Sequence, residues 1–199
     1  MFALLTLLLV QSAPTVAAVQ TDADEYTRYE LLEPASASFR ILYKVSATTP
    51  GAVAYFNPIR KGSTATREAV FDRMSGQALR FEVVDGNAAK AGGVAGAAAD
   101  SQFIRVQLPR PVPAEGEVRL LIDKTYRDPA SYTSEGDRIV FSRSLGINRN
   151  AVVLPAGYEL VSCNVPAQVL SEPDGRVAVS FVHTSAQPMP VLVKARRLP

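Results

Sequence analysis

The chain owns one thiol and one imidazole, Cys163 and His183. A cysteine activated by a neighbouring histidine is the smallest nucleophilic unit an enzyme can use, so this pair is the first place to look for chemistry. If Pro173-Asp174-Gly175 closes a hairpin with Glu172 opposite Arg176, counting back puts Val165 opposite His183. Cys163 then sits diagonally beside the imidazole on the same face. Against the dyad, Pro166 interrupts that strand, and Val161 and Val165 flank the sulfur as they would an inert buried thiol. A Ser-His-Asp triad would also have to use His183. That residue is in phase with the apolar Val177, Val179 and Phe181. Neither a Ser-x-x-Lys pair nor a Gly-x-Ser-x-Gly elbow is present.

Metal and carboxylate chemistry have little more to work with. Zinc takes several histidine or cysteine ligands, so no metal site and no cofactor are expected. Asp22, Asp24 and Glu25 form a carboxylate cluster, but their place near the start of the chain points to a solvated tail. Asp85-Gly86-Asn87 matches a fragment of a calcium loop and lacks the remaining ligands. A hydrolase using paired carboxylates is the enzymatic alternative. Nothing singles out two among the 19 acidic residues.

Binding residues are easier to nominate. In Tyr55-Phe56-Asn57-Pro58-Ile59-Arg60-Lys61, consecutive aromatics place one ring on each face of a strand. One ring is expected to be exposed beside the basic pair Arg60 and Lys61, as on many recognition surfaces. The loop Arg143 to Arg149 carries two guanidinium groups able to grip a carboxylate or phosphate.

The elements that must position these residues are strands. Phe39, Ile41, Tyr43 and Val45 alternate with Arg40, Leu42, Lys44 and Ser46. The same period of two runs through Leu79-Phe81-Val83, Ile104-Val106-Leu108, Val118-Leu120-Ile122 and Val177-Val179-Phe181. Turn residues stand between them at Ser75-Gly76, Glu115-Gly116, Glu135-Gly136-Asp137 and Pro173-Asp174-Gly175. The expectation is an all-β chain of antiparallel sheets forming a sandwich, immunoglobulin-like or similar, as one body or as two packed β lobes. Residues 19–127 would form the first lobe. Residues 128–199 would be a second lobe or a continuation of the same sandwich, with 126–136 as linker or long loop. The Ala/Gly-rich stretch 87–101 reads as a mobile surface loop; it lacks the Lys-Ser/Thr ending of a phosphate loop.

Composition excludes some classes. A net charge of +2 gives no case for nucleic acid. Phe2 to Val10 is an apolar block followed by small residues ending in Val16-Ala17-Ala18, the pattern of a signal peptide over 1–18 cleaved after Ala18. The block is too short for a membrane span, so no transmembrane segment is expected in the mature chain. One cysteine permits no internal disulfide, and no Asn-x-Ser/Thr site occurs, which suits a periplasmic or secreted bacterial protein.

The stretches 55–63 (YFNPIRKGS), 120–132 (LLIDKTYRDPASY) and 149–181 resemble a family of uncharacterised exported bacterial proteins. That resemblance implies an exported β-rich protein and no particular activity. The stretch 108–126 (LPRPVPAEGEVRLLIDKTY) is also similar to the amino-terminal β-domain of zinc aminopeptidases, where a proline-containing strand and a glycine turn precede a strand ending in tyrosine. The family's H-E-x-x-H motif is absent, so only the β-domain topology is implied. The functional expectation is a non-enzymatic module that binds an envelope protein or polymer.

Overall fold

Strands form where the apolar alternation demands them. The computed structural model describes residues 17–185 and 187–199; the apolar block of the expected signal peptide lies outside the described residues. In chain order the strands are β1 (Asp22–Leu31), β2 (Ser38–Ala47), β3 (Ala54–Ile59), β4 (Thr64–Asp72) and β5 (Phe81–Asp85). A short helix, α1 (Gly86–Ala91), leads to β6 (Gln102–Gln107), β7 (Val118–Arg127), β8 (Tyr132–Glu135) and β9 (Arg138–Leu145). Then come β10 (Arg149–Val153), β11 (Tyr158–Cys163), β12 (Gln168–Ser171), β13 (Val177–Val182) and β14 (Met189–Arg197).

These strands make a seven-stranded sheet, β12-β13-β10-β1-β2-β7-β4, and a four-stranded sheet, β11-β14-β9-β8. A three-stranded sheet, β3-β6-β5, completes the set. Every pairing is antiparallel except β1 with β10. The large sheet draws strands from both sides of residue 127, and the turn there is closed by the Asp128 side chain, whose Oδ1 accepts from the Ser131 N–H. The expected hairpin at Pro173-Asp174-Gly175 is present: Glu172 opposes Arg176, and Gly175 takes a φ of 81° that an L side chain resists.

The core lies where one face of the large sheet meets the other two. Phe39 and Val45 of β2 and Val118, Leu120 and Ile122 of β7 are shut off from solvent. So are Phe141 of β9 and Ile104 and Val106 of β6. Burying each such side chain contributes about 2 kcal/mol, which is how a chain without disulfides holds together.

Two expectations need correction. Phe81 and Val83 do share a face with Val106 and Ile104, but β5 is the sheet's edge, and no described strand pairs with its far side. They are 36 % and 50 % exposed. The stretch 87–101 is not a free loop. Asp85 caps α1 by accepting from the Ala88 N–H, and Ala89, Val94 and Ala97 pack over the rings of Phe56 and Phe103. Small side chains let this backbone lie close to the rings; a Cβ on Gly92 would come 2.3 Å from the Phe56 ring.

Candidate functional site

Two β-bulges prepare the site. In β1, Asp24 and Glu25 together oppose a single β2 residue, and Asp24 adopts φ 55°. Side chains three apart on a regular strand point to opposite faces; the extra residue returns Asp22 and Glu25 to the same face. In β4, Arg67 and Glu68 together oppose Lys124, again with a positive φ, 55° at Arg67. Both bulges therefore deliver a carboxylate to the inner side of the large sheet.

Between that inner face and the three-stranded sheet lies a cleft of about 340 Å³. At one end, the Tyr43 hydroxyl donates to Glu25 Oε1 and the Tyr55 hydroxyl donates to Asp22 Oδ2 at 2.9 Å. Burial, with the Asp22 charge adding to it, pushes the Glu25 carboxyl up against the opposing effect of the Tyr43 hydrogen bond. Burial also pushes the Tyr43 and Tyr55 phenols up, so both stay protonated and act as donors.

The other end is cationic. Lys124 is 5 % exposed and donates from Nζ to Asn57 Oδ1 at 2.5 Å, with Pro58 O at 3.4 Å. Its ammonium lies 5.1 Å from the centre of the Tyr126 ring. Among the described residues no carboxylate is within ion-pair distance of it. Burial, then the nearby Arg143 charge, pushes this amine down to about 7 against the pull of Glu68. Arg143 of β9 is also buried, but Asp128 Oδ2 accepts from its Nη1 at 2.7 Å. Its guanidinium stands 5.3 to 6.0 Å from the rings of Tyr29, Phe39 and Tyr126, which completes its solvation. Arg60 flanks the opening with a neutral partner, Ser144 O at 3.2 Å.

The residues nominated from sequence distribute unevenly. Tyr55, Phe56, Arg60 and Arg143 all line this cleft. Neither aromatic ring is exposed as expected: Tyr55 joins the main core and Phe56 the small cluster under α1. Lys61 points to solvent and pairs with Asp100. Arg149 lies outside, where Nη2 meets Asp24 Oδ1 at 3.3 Å and holds the β1 bulge. Cys163 and His183 lie apart in the topology. Cys163 ends β11 and pairs with Val193 in the four-stranded sheet, while His183 follows β13 and meets Ile147 O through Nε2 at 3.0 Å. Among the described residues no hydrogen bond joins the two, and the β12–β13 ladder covers only Gln168–Ser171, short of Pro166.

Lys124 was the residue sequence reading missed. It continues the buried phase Val118, Leu120, Ile122 and precedes Tyr126, so a charge in a dry stripe was the available signal. Arg143 has the same signature after Ile139 and Phe141. In a second hollow, lined by Arg138, Glu159, Lys194 and Arg196, the Arg196 Nε donates to Glu159 at 2.5 Å.

No family model matches the chain, and no curated protein matches its sequence. Solved structures do match its fold. The M1 zinc metallopeptidase from Deinococcus radiodurans superposes with a TM-score of 0.54 at 11 % identity, over 92 % of this chain and 43 % of that one. A two-domain M1 zinc metallopeptidase variant bound to L-arginine gives 0.50 at 13 % identity, over 90 % and 42 %. The chain thus spans less than half the length of the structures it matches. What it shares with these enzymes is a fold, that of their amino-terminal β-domain.

Proposed function

We propose that the chain is an exported, non-enzymatic β-domain that binds a protein or polymer partner of the bacterial envelope through the cleft at Tyr55, Arg60 and Lys124. One observation carries this reading. Lys124 is a buried cation with only neutral partners, placed on a cleft that opens to solvent. Burying a charge without a counter-charge is costly, and stability alone gives no reason to keep it. A ligand that enters the cleft supplies that reason. The single histidine of this chain cannot make H-E-x-x-H, so the likeness to metallopeptidases supports the fold alone. Export is supported by the apolar block at 2–10 and the small residues that follow it to Ala18.

The test is a photo-reactive amino acid placed at position 60 in cells, with position 133 on the exposed face of β8 as control. A discrete adduct at 60 and none at 133 supports the cleft. Equal adducts at both positions, or none at 60, overturns it.

A further inference from the structure

The charges around the cleft are unbalanced in a specific way. Arg143 is answered by Asp128, but Lys124 and Arg60 are met only by neutral oxygens. At the far end Asp22 and Glu25 each accept a phenolic hydrogen, and neither is in ion-pair contact with a cation. Glu68 acts on Lys124 only at longer range, so one end has no anion in ion-pair contact among the described residues, and the other retains free acceptor lone pairs.

The separation of the ends limits what can fill both. Lys124 is tied to Asn57, and the carboxylate end is tied to Tyr55. Those two residues lie on one face of β3, two apart, which is about 7 Å along a strand. A ligand that meets both ends carries a carboxylate and, a few ångströms along, N–H donors. An extended chain covers this distance in about two residues. The volume, about 340 Å³, is at the small end for ligand sites and suits a chain terminus.

We propose that the cleft receives the C-terminal carboxylate of an extended peptide chain at Lys124 and Arg60, with N–H groups of the same chain donating to Glu25 and Asp22. This rests on the cleft being the binding site, and it names the partner's chemistry. A carboxylate at Lys124 would form the charge-assisted hydrogen bond its ammonium lacks. It would also restore a counter-charge to an amine that burial now pushes down to about 7.

The experiment uses the mature protein, labelled with ¹⁵N, and two pools of tetrapeptides with randomised side chains. One pool ends in free carboxylate and the other in amide; acetate is the third probe. The Asn57 side-chain amide and the Lys124 ammonium are the reporters. The acid pool is expected to shift both, with the amide pool and acetate at least tenfold weaker. Lys124→Met should abolish the response while the protein stays folded by thermal melt. Arg60→Ala, at an exposed position, should weaken it severalfold. If the amide pool binds as well as the acid pool, or acetate binds as well, or neither pool binds, the inference is overturned. A position-60 adduct obtained in cells despite such a result would leave the cleft standing and remove only its carboxylate ligand.

Discussion

Lys124→Met isolates the cost of the unanswered charge. The fall of this amine from its ordinary 10.5 to about 7 corresponds to about 5 kcal/mol that the folded state loses while the group is protonated. The sign follows from where the proton sits. Below pH 7 both states carry the charge and the fold bears the full cost. Between pH 7 and 10.5 the folded amine is neutral and the unfolded one is not, so stability rises with pH. Methionine keeps most of the volume and removes the charge, but it leaves Asn57 Oδ1 without its donor, which costs about 1 to 3 kcal/mol. The net expectation at pH 6.5 is a gain of about 3 kcal/mol, or about 9 °C in Tm for a chain of this size. Urea unfolding of both proteins at pH 6.5 and 9.5 measures it. The variant's advantage should shrink by about 3 kcal/mol at the higher pH. A variant that is less stable at pH 6.5, or an advantage that does not change with pH, would refute the reasoning.

Arg143→Met should act in the opposite direction, because it strands a buried carboxylate; a loss of about 3 to 5 kcal/mol is expected in the same urea assay. Burial opposes the ionisation of Asp128, but hydrogen bonds from Ser131 and Ser63 and the Arg143 charge hold it below its ordinary 3.8. Its contribution is therefore complete above that pH and is lost as acid is added below it, and the Arg143 variant should lose much of this acid limb. Gly86→Ala would put a Cβ 1.7 Å from the Ala98 carbonyl oxygen, so the cap over Phe56 and Phe103 should open and limited proteolysis should cut within 88–101. Arg67→Gly relieves a positive φ at an exposed bulge and should raise stability by about 1 kcal/mol or less, read as a small rise in Tm.

Period-two patterning was enough to read β2, β6, β7 and β13, because each has one face in the core. The hairpin at Glu172–Arg176 was legible because proline and glycine suit only a few turn positions. The exposure of Phe81 and Val83 was not, since an edge strand and a central strand share the same alternation. Nor was the cap at 87–101: alanine and glycine describe a flexible linker as well as a backbone pressed onto two rings. The cleft was half legible. Tyr55, Arg60 and Arg143 were nominated from residue type, but the Asp22–Glu25 pair needs a bulge that no alternation reveals. Lys124 was readable in principle, as a charge in phase with Leu120 and Ile122, and its neutral partners come from a different sheet.

The most direct measurement is reductive methylation of the lysines in the free protein and in the presence of a bound partner, read by mass spectrometry. The chain has Lys44, Lys61, Lys90, Lys124 and Lys194 to report on well-separated parts of its surface. If the cleft is the binding site, Lys124 is methylated in the free protein at pH 8 and protected on binding, while Lys90 and Lys194 are unchanged. Protection at Lys194 or Lys90 with Lys124 still reactive would place the partner elsewhere and contradict the account.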